Sequence, residues 1–219
     1  MFTKALLIGG ALAIAGAANA GVLYSQSWDQ SGNLYGSQND VGNFGNFAAT
    51  YDDFTLSTAA NLTEVDVVGG FFNPPTAGAI SQFTLTLYAD NGGVPGSAIA
   101  SGIFGGTGTY LGSQGGFPTY SYAFTFLPYG VGAGTYWVSA VPDLGFPPQW
   151  GSATSGQGNG NAYQCFFGAC NTLSGTNLAF TVYGDATGGV PEPATWSLML
   201  MGFGGLGAAM RSRRKAVAA

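Results

Sequence analysis

The sequence predicts an all-β fold, a jelly-roll-like sandwich of two antiparallel sheets. Across residues 21–190 the apolar residues follow no helical period and alternate instead with polar residues over short runs. Clusters of Gly, Asn and Pro separate these runs, as turns separate the strands of a sandwich or barrel. The 219-residue chain is 46% apolar and 14% aromatic, so it holds enough hydrophobic surface for a packed core. A region of this length makes one domain rather than two.

Seven runs carry the strand pattern. The clearest covers residues 83–88, where Phe83, Leu85 and Leu87 share one face and the intervening residues share the other. In residues 120–126 every second residue is aromatic, which predicts a face packed in the core. The other predicted strands are 22–28, 51–56, 62–68, 135–141 and 178–183. Two Gly-rich stretches, 102–116 and 151–161, are predicted to be loops.

Residues 1–20 have the pattern of a secretory signal peptide. Lys4 gives a charged start, residues 5–17 form a short apolar run, and Ala18-Asn19-Ala20 fits a signal-peptidase site. The mature chain is therefore expected to begin at Gly21. An N-terminal anchor helix is the alternative interpretation.

The C-terminal end combines three features in order. The Pro191-Glu192-Pro193 turn cannot continue a strand or helix, because proline fixes φ and lacks an N–H. Residues 194–210 are apolar and uncharged and would span about 25 Å as a helix, a marginal length for a bilayer core of roughly 30 Å. Trp196 lies at the start of this run and a basic cluster follows it, as at the two interfaces of a membrane segment. The cluster consists of Arg211, Arg213, Arg214 and Lys215.

This tail closely resembles the PEP-CTERM sorting signal of Gram-negative bacteria. The resemblance implies processing by an exosortase and release or re-attachment of the domain outside the cell; an ordinary single-pass anchor is the alternative. The predicted organisation is a signal peptide (1–20), a β-sandwich (21–185), a short linker (186–190), the sorting signal (191–215) and a terminal end (216–219). The protein is expected to be exported, anchored transiently in the inner membrane, and then placed at the cell surface or in the extracellular matrix.

A second resemblance concerns the domain itself. Tyr51-Asp52-Asp53-Phe54, the strand and loop of residues 83–96, the segment 132–139 and Gln149-Trp150 are similar to extracellular choice-of-anchor sandwich domains. The similarity covers residues 45–185. It implies a non-catalytic surface or matrix module and brings no active-site motif.

Charge excludes several classes of function. All five Lys and Arg residues lie in the two targeting ends and the chain has no His, while nine of the ten acids lie in residues 21–190. Such a domain lacks the cations that bind nucleic acid phosphates, so nucleic acid is excluded as a partner. Catalysis through His or Lys is excluded as well. Only a pair of carboxylates, as in glycoside hydrolases, remains as catalytic machinery, and this is the least favoured function.

Three smaller groups are candidates for structure or binding. Cys165 and Cys170 are predicted to form a disulfide in an exported protein, which would stabilise one loop. No cofactor is expected, although Asp52, Asp53 and Asp90 offer the oxygen ligands that a structural Ca²⁺ prefers; turn and surface aspartates are the alternative. Trp150, predicted to lie in a loop, and Trp137 are candidate platforms for a glycan ring, Trp28 and Tyr163 being further aromatic candidates.

These observations lead to one expectation about function. The protein is expected to be a non-catalytic surface or matrix protein associated with extracellular polysaccharide or biofilm. This expectation rests on what the resemblance to PEP-CTERM proteins implies and not on any site in the sequence. A carbohydrate-binding, lectin-like module is the alternative. The expected partners are an exosortase, the membrane through the C-terminal segment, and extracellular polysaccharide.

Overall fold

The computed structural model describes residues 20–187, together with Met201 and Phe203. The described residues form fifteen strands and almost no other regular structure. The strands are β1 (Gly21–Gln26), β2 (Leu34–Gly36), β3 (Gln38–Asp40), β4 (Gly45–Leu56), β5 (Ala60–Phe72), β6 (Gln82–Asp90), β7 (Pro95–Gly105), β8 (Thr109–Gln114), β9 (Phe117–Val131), β10 (Gly134–Leu144), β11 (Gln149–Ser155), β12 (Asn161–Phe166), β13 (Ala169–Ser174), β14 (Asn177–Leu178) and β15 (Phe180–Ala186).

The strands form two sheets. The eight-stranded sheet has the order β1-β15-β5-β11-β14, with β2 added on β11 and the β8–β9 pair added on β5. The seven-stranded sheet has the order β13-β12-β4-β3-β10-β6-β7. All neighbours are antiparallel except β3 and β10, so the predicted purely antiparallel arrangement is wrong at this one pair. β10 pairs with β4 only from Gly134 to Val138, and the short β3 lies between them beyond that point.

The core lies between the two sheets. Phe83 of the seven-stranded sheet packs against Tyr122 and Phe124 of the other sheet, with ring centroids 4.7 and 5.1 Å apart. Phe83, Leu85 and Leu87 are all buried, which confirms the predicted core face of residues 83–88. Tyr122 and Phe124 are buried and their neighbours Tyr120 and Phe126 pack against the core, so the aromatic face of residues 120–126 is confirmed as well.

Both stretches predicted as loops contain strands. Residues 102–116 hold the end of β7 and all of β8, and residues 151–161 hold most of β11. The glycines there suggested loops, but several serve close approach between backbones. A Cβ on Gly151, for example, would lie 2.7 Å from the carbonyl oxygen of Tyr35 on the neighbouring strand. Glycine in a strand can therefore mark tight packing.

The sandwich has two distinct ends. At one, which we name the base, Ala186 pairs with Ala60 and Gly21 pairs with Gly184, so the described chain enters and leaves there. At the opposite end, which we name the tip, lie the β3–β4 turn and the β12–β13 turn. Apart from Ala20, Met201 and Phe203, the predicted signal peptide and membrane segment lie outside the described residues. Within the part that is described, no helix is long and apolar enough to span a membrane.

Candidate functional site

Trp150 does not form an exposed platform. Its side chain is 0% exposed and packs between the sheets against Phe83 and Tyr122, with ring centroids 5.3 and 6.0 Å apart. The sequence prediction placed it in a loop because prolines precede it. It lies instead on β11, which pairs with β5 through Trp150 and Phe71, and its side chain points inward. Trp150 is a core residue, so its predicted role in glycan binding is wrong.

Trp137 is also enclosed, on the other side of the seven-stranded sheet. It is 0% exposed, and its indole Nε1 donates a hydrogen bond to Asp90 Oδ1 at 2.8 Å. Its neighbour Val138 faces the core cluster, so Trp137 lies on the outer face. A fully covered ring cannot stack on a sugar, and the prediction for Trp137 is therefore wrong too. Trp137 does, however, lie within a group of accessible aromatic residues.

We name this group the tyrosine face: Tyr51, Tyr88 and Tyr163, on β4, β6 and β12. The Tyr51 ring centroid lies 5.4 Å from that of Tyr88 and 6.1 Å from that of Tyr163. All three side chains are half-buried. Burial is the main cause that raises the pKa of Tyr51 to about 12, with the neighbouring tyrosines adding to it, and burial also raises the pKa of Tyr88. Both hydroxyls therefore remain protonated at neutral pH and can donate hydrogen bonds.

Carboxylate and amide groups border the tyrosine face. Asp53 lies two residues after Tyr51 on the same side of β4, and both of its oxygens accept hydrogen bonds from Asn159 Nδ2, at 3.0 and 2.8 Å. Asp90, exposed at the end of β6, accepts hydrogen bonds from Trp137 and from the backbone of its own turn. Burial raises the pKa of Asp53, the Asn159 amide lowers it, and the nearby Asp90 carboxylate raises it.

A buried hydroxyl without a partner lies on this side of the sheet. Ser139 follows Trp137 by two residues on β10, so the two side chains share the outer face. Ser139 is 3% exposed, and its Oγ has no hydrogen-bond partner among the described residues. Buried polar atoms of native proteins are nearly always paired, so this enclosed hydroxyl is an exception on the outer face of the sheet.

The structure separates the three aspartates that were candidates for calcium. Asp52 points into the sandwich, where Oδ1 accepts a hydrogen bond from the Asp53 N–H at 2.8 Å and Oδ2 accepts one from the Leu178 N–H. Burial raises the pKa of Asp52 to about 7, against the lowering effect of these two donors. Asp53 and Asp90 lie on the opposite side. Within residues 20–187, no three His, Cys, Asp or Glu side chains are grouped as a metal site would require. The three do not form one ligand set, and calcium binding stays a prediction.

The tip carries the predicted disulfide. Cys165 and Cys170 are bonded across β12 and β13, where they face each other in register. The β12–β13 turn presents Phe166 and Phe167, which are 41% and 60% exposed, next to Phe44, which is 53% exposed. The rings of Phe44 and Phe167 lie 5.7 Å apart. No alternation in the sequence indicates this grouping, because Phe44 and Phe167 lie in turns and Phe166 is the last residue of β12.

Asp40 holds the tip loops in place. Its carboxylate accepts four backbone N–H hydrogen bonds at 3.0 to 3.2 Å, from Gly42, Asn43, Phe44 and Phe146. The bond from Phe44 is the main cause that lowers the pKa of Asp40; the other three lower it further and burial opposes them. The sequence places Asp40 next to a turn, but only the structure brings Phe146 to it.

Comparison with known families identifies the C-terminal segment. Residues 189–215 match the model of the PEP-CTERM protein-sorting motif. The chain therefore carries a PEP-CTERM sorting motif at its C-terminal end. The motif indicates an exported protein that is sorted through the membrane, with processing by an exosortase and membrane anchoring. No curated protein matches the chain.

The matched range contains every residue predicted for sorting. These residues, Pro191, Glu192, Pro193, Trp196, Arg211, Arg213, Arg214 and Lys215, all lie outside the described part of the structure. Their individual roles remain predictions. The described domain ends at Thr187, two residues before the matched range begins, so the sorting motif follows the sandwich with almost no spacer.

Proposed function

We propose that this PEP-CTERM protein is a non-catalytic surface or matrix module that associates with extracellular polysaccharide. The tyrosine face carries the proposal: three neighbouring, partly exposed aromatic rings are bordered by carboxylate and amide groups. Sugar rings stack on aromatic faces, and phenol, amide and carboxylate groups bind sugar hydroxyls by hydrogen bonds. This surface replaces Trp150 and Trp137 as the candidate platform.

The charge of the domain favours a neutral polysaccharide. The nine acids of residues 21–190 have no Lys, Arg or His within the domain to balance them. This surface would repel an acidic glycan, whereas a neutral glycan would interact through hydrogen bonds and ring stacking without charge repulsion. Final placement at the cell surface or in the matrix follows from the same proposal.

The state of the carboxylates at and next to the tyrosine face supports a non-catalytic role for that surface. A glycoside hydrolase needs two carboxyl groups roughly 5 to 10 Å apart that both reach the substrate. Asp53 is engaged through both oxygens by Asn159, and Asp52 faces the core. Asp90 is thus the accessible carboxylate beside the tyrosine face.

The test is retention of the protein by polysaccharide. Tyr163→Ala removes the ring on β12, the second strand from one edge of the seven-stranded sheet. Tyr110→Ala is a matched control because Tyr110 is 57% exposed on β8 of the other sheet. Loss of one stacked ring is worth about 1 kcal/mol, so Tyr163→Ala is expected to weaken binding to the host's neutral extracellular polysaccharide by about fivefold. Tyr110→Ala is expected to bind like the parent.

Two outcomes separate the possible roles. Retention of the parent that is equal for both variants would contradict the use of the tyrosine face. Binding of the parent to short soluble oligosaccharides, measured by calorimetry, would favour the lectin-like alternative over a matrix role that needs the assembled polymer.

A further inference from the structure

An apolar cavity of about 330 Å³ opens between the two sheets along one side of the sandwich. Its walls come from both sheets and include Leu62, Val65, Leu85, Leu87, Phe104 and Phe126. The cavity lies between β7, the edge strand of the seven-stranded sheet, and the second half of β9. That half of β9 pairs only with β5, because β8 pairs with β9 no further than Ser121. The two free edges thus leave the core accessible from the side.

The lining of the cavity offers nothing to a polar ligand. No lining residue is charged. The hydroxyl of Ser101 is bonded to Thr86 Oγ1 at 2.9 Å, and the hydroxyl of Tyr129 donates to the Ile99 carbonyl at 2.9 Å. Leu127, at the opening, is 88% exposed. A large apolar side chain in water beside an open apolar cavity indicates a site where an apolar group enters.

The position of the cavity suggests where that group comes from. Leu62 lies two residues from Ala60, which pairs with Ala186 where the chain leaves the sandwich. Six residues, 188–193, lie between Thr187 and the apolar run that starts at residue 194, so seven residue-to-residue steps join the two. Even fully extended they span at most about 25 Å. A tail anchored in the membrane therefore holds this end of the sandwich close to the bilayer surface.

We propose that the cavity binds one acyl chain of a membrane lipid. Its volume is at the lower end of the range for small-molecule pockets, roughly 300 to 1,000 Å³, which suits a single chain and not a helix or a second copy of the domain. The acidic domain favours a lipid with a neutral or zwitterionic head group over an anionic one. The inference uses the membrane anchoring that the sorting motif implies and does not depend on polysaccharide binding.

The test is photo-cross-linking in vesicles. The full chain is reconstituted in phosphatidylcholine vesicles that contain phosphatidylcholine with a photoactivatable acyl chain, and cross-linked peptides are identified by mass spectrometry. Ala100→Phe fills the cavity from β7. Ile103→Phe is the matched control, because Ile103 lies on the same strand and is 68% exposed. Leu127→Ser changes the opening at a position where the fold does not depend on the side chain.

The expected result is cross-linking both of residues 194–210 and of peptides from β5, β7 and β9. The strand cross-links should fall at least about fivefold in Ala100→Phe and Leu127→Ser and persist in Ile103→Phe. Cross-links confined to residues 194–210 would overturn the proposal but would still show that the tail is anchored in the membrane. This result is expected if the chain's own apolar segment or a second copy of the protein covers the cavity. Strand cross-links that neither variant reduces would also overturn it. Absence of cross-links from both regions would overturn the proposal together with membrane anchoring.

Discussion

Raising the pH from 5 to 8 is expected to destabilise the sandwich, because Asp52 must then ionise between the two sheets. Asp52 is 1% exposed, and burial raises the pKa of its carboxyl from 3.8 to about 7. Because folding raises this pKa, the contribution of the protonated Asp52 carboxyl to the free energy of unfolding is complete below pH 4. That contribution is lost as the pH rises towards and through 7. The pKa values of Asp53 and Asp66 are also raised by burial, so they act in the same direction.

The size of the effect follows from the shift in pKa. A shift from 3.8 to about 7 corresponds to an upper limit of about 4 kcal/mol, at about 1.4 kcal/mol per unit. About 3 kcal/mol of this falls between pH 5 and 8, because the unfolded chain already ionises near pH 4. A loss of this size is a large fraction of the free energy of unfolding of an ordinary domain.

The assay is urea denaturation at pH 5, 6.5 and 8, followed by the fluorescence of the buried Trp137 and Trp150. Asp52→Asn should flatten most of the pH dependence. Asp40→Asn is the matched control: the pKa of Asp40 is lowered, so that carboxyl adds stability above pH 4 and loses it only in acid. Asp40→Asn should reduce stability without changing the slope between pH 5 and 8. A parent protein equally stable at pH 5 and 8, or an unchanged slope in Asp52→Asn, would refute this reasoning.

Three further predictions concern packing and the disulfide. Trp150→Ala should lower the free energy of unfolding by about 3 to 5 kcal/mol, since the ring is fully buried. Gly69→Ala should destabilise as well, because a Cβ there would overlap the Trp150 ring; urea denaturation of both variants checks this, and a change below 1 kcal/mol would contradict it. Removing the disulfide in Cys165→Ser/Cys170→Ser should cost only about 2 kcal/mol, because the closed loop is short. Thermal denaturation checks this. A double variant that is already unfolded at the start of the temperature scan would show that the disulfide stabilises the whole sandwich and not only the tip.

The alternation of side chains made much of the fold predictable. In residues 83–88 and 120–126 every second residue is large and apolar, and those residues lie in the core or pack against it. The loop predictions for the two glycine-rich stretches are wrong for a physical reason. Glycine is required both in turns and where two backbones approach closely, and composition alone does not distinguish the two. The short parallel pairing of β3 with β10 depends on contacts far apart in the chain and left no local signal.

The candidate site was predictable only in part. The sorting motif has a fixed order of short features at the end of the chain, so sequence was sufficient to find it. The prolines before Trp150 predict a loop, whereas in the structure they precede a buried strand. Asp52 and Asp53 are adjacent on β4, and the alternation of side chains along a strand places them on opposite faces of the sheet. This rule alone is enough to show that the two carboxylates do not belong to one calcium site. The tyrosine face joins β4, β6 and β12, and no spacing in the sequence reveals that pairing.

The most direct test of the account is the intact mass of the protein recovered separately from membrane and extracellular fractions of its native host. If the protein is sorted and released, an extracellular species begins at Gly21 and ends near Pro191-Glu192-Pro193, and any additional mass identifies the group attached after processing. A chain that continues to Ala219 and occurs only in membranes would contradict sorting and release, and with them the proposed role in the extracellular matrix.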